Sequence, residues 1–149
     1  MITSQQMLKL GAYANFGIAV LHIILGFAGE QVNRFFGAPK WVLVMARENR
    51  PGLMLLLLGM AGIFSLFAVY GLSGAHLLRR LPLLRTGLIF IGSVYALRGL
   101  EVILDVYVIL RGSGQYLQFL GFSLVALCVG LLYLGGTIGG WKSLEPLRA

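Results

Sequence analysis

Residues 51–78 read PGLMLLLLGMAGIFSLFAVYGLSGAHLL, with no charged side chain between Arg50 and Arg79. A helix needs roughly 20 mostly apolar residues to cross a bilayer, and this stretch exceeds that length. Two further charge-free windows flank it. Leu10 to Gly29 lies between Lys9 and Glu30, and Gly112 to Trp141 is most apolar from Tyr116 to Leu134. A fourth stretch, Gly87 to Leu110, is equally apolar apart from Arg98, Glu101 and Asp105. It reads as a crossing, because in an interfacial helix Phe90, Ile91, Val102, Ile103 and Leu104 would point all around the axis.

The expected architecture is therefore an all-α integral membrane protein. It is a four-transmembrane-helix bundle forming one transmembrane domain over 1–149, with helices at about 10–29, 52–78, 87–110 and 116–136. Composition points the same way. Hydrophobic residues make up 58% of the 149 positions and charged residues 11%, against about 25% charged in a typical soluble domain. A disordered chain is excluded by the same figures, since disorder needs low hydrophobicity and high charge. The net charge of +7 fits flanking residues that face anionic lipid rather than nucleic acid. Cys128 is the only cysteine, which excludes an internal disulfide and a cysteine-rich zinc site.

The connections support this count. Pro82, in the basic turn Arg79–Arg85, keeps the second helix from running into the third. Glycines in the turn 111–115 supply unusual dihedrals. Gln31 to Arg50 is the one long link, in which Pro39 can start an interfacial helix over about 39–48, with Trp41, Phe35 and Phe36 at headgroup level. Asn15 and His22 interrupt the apolar core that a cleaved signal peptide would need, so the first helix reads as a span. An even number of crossings puts both termini on one side. The dense triplet Arg79, Arg80 and Arg85 with the basic C-terminal tail favours the cytoplasm for that side. The expected location is a bacterial inner membrane.

The chemistry concentrates on the third helix. At about 100° per residue Glu101 lies roughly 60° from Arg98 and Asp105 roughly 20° from it, so the three share a face that Tyr95 borders. Arg98 is near mid-span, where a lone ionised side chain costs ~3 kcal/mol on insertion scales. It is expected to pair with Glu101 at i+3, which leaves Asp105 to find another cation, reach the surface or hold a proton. His22 and Asp105 lie at about the same depth, roughly 9 and 8 Å from their helix ends at 1.5 Å per residue. A contact between them is geometrically allowed, with Asn15 two turns along the His22 face.

The expected ligand- or ion-binding set is thus Arg98, Glu101, Asp105, His22, Tyr95 and Asn15. It serves ion- or proton-linked transport or small-ligand binding. Arg79, Arg80 and Arg85 are candidates for an anionic headgroup. Other chemistry is thin. His22 and His76 differ in depth by about 18 Å or more, too far for one haem. Ser73 lies one turn from His76 but has no acid beside the pair, and no spacing resembles a metal motif. No cofactor, metal or catalytic residue is expected. Overlapping GxxxG spacings at Gly135, Gly136, Gly139 and Gly140 could serve a homodimer face or a flexible helix end. Expected partners are the lipid bilayer and either further copies of the chain or a membrane complex, in which the charged stripe would pair with a partner's helix. A membrane enzyme using Glu101 or Asp105 as acid or base on lipid or quinone is the remaining alternative.

Overall fold

A computed structural model describes residues 2–112 and 117–144. It is all-helical: α1 Ser4–Phe27, α2 Glu30–Phe35, α3 Lys40–Glu48, α4 Arg50–Gly74, α5 Leu84–Gly99, α6 Val102–Leu110 and α7 Leu117–Gly139. Four long apolar helices, with α5 and α6 forming one of them over Leu84–Leu110, are long and apolar enough to cross a membrane. They pack as a helical bundle, and α2 and α3 are the short helices between the first and second spans. The expected start of the last helix at Tyr116, the turn residues 113–115 and Arg148 lie outside the described residues.

Helix boundaries differ from the charge-free windows for identifiable reasons. α1 starts six residues before Leu10 because Thr3 and Gln6 form a capping box. The Thr3 amide donates to Gln6 Oε1 at 2.9 Å and the Gln6 amide to Thr3 Oγ1 at 3.2 Å, so two of the helix's orphan donors are satisfied reciprocally. Lys9 is no boundary, since its ammonium rests over the Tyr13 ring. α1 ends at Phe27, and Glu30 opens α2. α4 starts on an Asn49 cap, whose Oδ1 accepts from the Gly52 amide at 3.0 Å.

At its other end α4 stops at Gly74, short of Leu78. The Leu77 amide donates to the Leu72 carbonyl and the His76 amide to that of Ser73, with His76 at φ 59°. That is a Schellman ending with histidine where glycine is usual. The buried Ser73 then fixes the following loop, donating to the Arg79 carbonyl and accepting from the Leu81 amide, both at 3.1 Å.

The third span carries the main departure from regularity. At Leu100 and Glu101 the dihedrals are −63°, −18° and −58°, −19°, close to 3₁₀ values. The Glu101 amide reaches the Arg98 carbonyl and the Ile103 amide that of Leu100. One tight turn thus joins α5 to α6.

The chain divides into two compact units, Met1–Ala14 with Phe67–Ala149, and Asn15–Leu66. In the first, α5 meets α7 through glycines. A Cβ on Gly99 would lie 2.5 Å from Leu127 Cα, and one on Gly130 2.6 Å from the Ala96 nitrogen. The two backbones are therefore nearly in contact, as small residues permit between membrane helices. Tyr133 is fully buried and donates to the Phe67 carbonyl at 2.8 Å. The α7 glycines are occupied from within the same unit, with Leu8 lying against Gly136 and Ser4 against Gly139. In the second unit Leu25, Val42, Ala46, Leu53 and Leu57 form the core. Buried Asn33 donates to the carbonyl of Leu25 in the last turn of α1 and to that of Gly29, the N-cap of α2, at 3.1 and 3.2 Å, tying the two helices together.

Candidate functional site

The 3₁₀ turn decides how the charged stripe is arranged. In a 3₁₀ turn side chains at i and i+3 eclipse, whereas an ideal α-helix leaves them roughly 60° apart. Arg98 and Glu101 accordingly pair at 2.7 Å between Nη1 and Oε2. The second carboxylate is reached through a neighbouring helix. Arg98 Nη1 donates to Ser123 Oγ at 3.2 Å, and the Ser123 hydroxyl donates to Asp105 Oδ2 at 2.6 Å. The result is a continuous chain Glu101–Arg98–Ser123–Asp105. Because the guanidinium has no acceptor, it fixes the polarity of the hydroxyl, which must turn its proton toward Asp105.

Ser123 was not among the residues expected from sequence. It is buried on α7, six residues in from Leu117, while Asp105 is five in from Leu110, so both sit roughly 8–9 Å from their helix ends. What the sequence does not supply is the contact of α5 and α6 with α7. Gly99 and Gly130, where backbones meet, hold Ser123 within reach.

Among the described residues the stripe is left partly open. The side chains of Arg98 and Glu101 are 44% and 53% exposed. Tyr95, one turn earlier, is buried with its ring edge-on to Phe67 at 6.4 Å. His22 and Asn15 belong to the other unit. Asn15 is fully buried. His22 Nδ1–H donates to the Ile18 carbonyl at 2.8 Å and its ring lies 4.7 Å from that of Phe64. That tautomer leaves Nε2 as the basic nitrogen.

At the opposite end of α5, Arg85 stacks on Trp141 at 4.5 Å and donates to its backbone carbonyl. Arg80 and Arg85 line a cavity of about 630 Å³ with the leucines 81, 83 and 84, whereas Arg79 contributes its carbonyl to the Ser73 hydroxyl. Ser73 is thus committed to the loop, and His76 serves as the left-handed residue that ends α4. Neither forms a nucleophile–base pair. Among the described residues no three histidine, cysteine, aspartate or glutamate side chains group as a metal ion would need.

Comparison of the chain with protein-family models, curated proteins and solved structures finds no match. The functional reading therefore rests on the geometry of the stripe.

Proposed function

We propose that this small multi-pass membrane protein uses the α5–α6 stripe as an intramembrane polar site for proton-linked transport, with Asp105 as the group that takes up and releases the proton. The observation that carries the reading is the continuous chain Glu101–Arg98–Ser123–Asp105. One guanidinium is set against two carboxylates, so the ionised stripe carries a net −1 within a span where charge is costly. Uptake of one proton neutralises it. Arg98 fixes Glu101 and orients Ser123, whose hydroxyl donates to ionised Asp105 and keeps the carbonyl oxygen as its acceptor when the carboxyl is protonated. Tyr95 borders the site as a buried wall.

The test is proton flux in proteoliposomes carrying an internal pH-sensitive dye. Arg98→Ala and Asp105→Asn should bring flux to that of protein-free vesicles while helicity is retained. Unchanged flux in both would sink the proposal.

One observation favours a second reading, in which the stripe is an assembly surface. Arg98 and Glu101 are about half exposed on the single chain, and an ion pair at that depth needs cover. Native mass spectrometry on protein extracted gently from its membranes separates the two. A defined complex with a different polypeptide, lost in Arg98→Ala and restored by a charge swap in the partner, would assign these residues to assembly. The chain on its own or as a homo-oligomer, with flux, supports transport.

A further inference from the structure

The segment between the first two spans holds a second charged constellation with a different balance. Glu30, the first residue of α2, accepts from Arg34 one turn later and from both Nε and Nη2 of Arg47 on α3. One carboxylate thus clamps two guanidiniums. Arg47 first and Arg34 second push the Glu30 carboxyl down to about 2, so it stays ionised through the ordinary pH range.

Sequence spacing builds the rest. Lys40, Leu43, Val44 and Arg47 follow i, i+3, i+4 and i+7, one stripe of a helix, while Val42 and Ala46 on the other face enter the core. That stripe and the Glu30–Arg34 edge of α2 enclose a hollow of about 470 Å³, within the size range of small-molecule sites. Three cations against one carboxylate leave a net +2. Arg47 has five N–H donors and gives two of them to Glu30, so most of its fork remains for another acceptor. The hollow is not purely polar, since Leu43 and Val44 line it. Phe35 and Trp41 on the same two helices are more than half exposed, as expected of aromatic residues at headgroup level.

We infer that the hollow formed by Glu30, Arg34, Lys40 and Arg47 binds the headgroup of an anionic phospholipid, with the phosphate on the three cations and the start of an acyl chain along Leu43 and Val44. Phosphate suits a pre-aligned pair of guanidiniums, which bind it with paired N–H donors. The apolar lining and the neighbouring aromatics argue for a lipid over a soluble anion. α2 and α3 join directly to the ends of two membrane spans, which puts the hollow at headgroup depth. This inference is independent of the stripe on α5 and α6.

Trp41 is a built-in reporter. Trp141→Phe leaves it as the sole tryptophan, and the full chain in this background goes into nanodiscs of phosphatidylcholine with one-quarter phosphatidylglycerol. Brominated phosphatidylglycerol should quench Trp41 about fivefold more, per mole, than brominated phosphatidylcholine, since each nearby cation favours anionic lipid. Lys40→Glu leaves the Glu30 clamp intact and should bring the ratio most of the way to one; adding Arg34→Gln should complete the loss. An unchanged Trp41 emission maximum in pure phosphatidylcholine shows that α3 is still seated in these variants. Equal quenching by the two lipids in the parent chain would overturn the proposal. So would a preference that inorganic phosphate abolishes at matched ionic strength, because the ligand would then be a soluble anion. A preference that both variants retain in full would also overturn it, since the lipid would be held elsewhere.

Discussion

The two arginine–carboxylate clusters use the same groups in opposite proportions. Outside the spans, Glu30 is shared by Arg34 and Arg47, with Lys40 nearby, and positive charge is in surplus. Within a span, Arg98 serves Glu101 and, through Ser123, Asp105, and negative charge is in surplus. At headgroup level, water and lipid phosphate accommodate unpaired cations at little cost. In the hydrocarbon an uncompensated carboxylate has neither. A surplus there must be protonated, covered or used. As proposed above, the first cluster is a docking surface for lipid and the second a site whose charge state is its chemistry.

The largest expected contrast comes from removing the arginines. Arg98→Ala leaves two carboxylates against no cation and should destabilise the inserted protein by ~3 kcal/mol, read as reversible unfolding in bicelles. The double variant Arg98→Ala/Glu101→Ala should recover much of that loss. Arg34→Ala should change stability far less, because its side chain is 63% exposed and exposed pairs contribute little. Equal losses would mean that the two clusters cost the same to leave unpaired.

A second prediction leaves every charge in place. Gly99→Ala puts a Cβ 2.5 Å from Leu127 Cα, so α5 and α7 must separate, at ~2 kcal/mol for overpacking. Ser123 then moves out of reach of Arg98 and Asp105. Proton flux should fall although the charged residues are intact, while lipid-selective quenching at Trp41 is retained. Retention of both activities would mean that the α5–α7 approach does not hold the stripe together.

The Glu30 cluster has its own pH signature. A carboxyl lowered in the folded state, here from 4.5 to about 2 by Arg47 and then Arg34, contributes stability that is present above its unfolded value. That contribution is lost as pH falls through the folded value. Trp41 emission should therefore hold steady down to about pH 4.5 and shift progressively toward pH 2. In Glu30→Gln the shift should vanish.

The smallest effect concerns His76. A non-glycine residue at φ 59° carries a left-handed penalty of about 1 kcal/mol, so His76→Gly should stabilise the protein by up to that amount. Unchanged flux in this variant would agree with a conformational role for the residue. A loss of flux would give its imidazole a part in transport.

Much of the fold was legible because membrane insertion writes itself into long charge-free windows, and because Pro39 marks the start of α3. The face shared by Arg98, Glu101 and Asp105 was legible from helical period alone. What period could not reveal was the tight turn at Leu100 and Glu101, a backbone choice made where α5 and α7 nearly touch at Gly99. Ser123 was hidden for a related reason, since a serine in an apolar helix gains meaning only once its neighbour is known. Glu30 looked like a terminator because the window ended there, and only the fold of α2 against α3 shows it clamping Arg47. His76 drew attention as chemistry, yet its place is set by the backbone reversal after Gly74.

Infrared difference spectroscopy of the reconstituted protein over a pH titration tests the proposed role of Asp105. A protonated-carboxyl stretch should appear as pH falls, disappear in Asp105→Asn, and shift in frequency in Ser123→Ala as the hydroxyl partner is lost. A titrating carboxyl band that persists unchanged in Asp105→Asn would contradict that role.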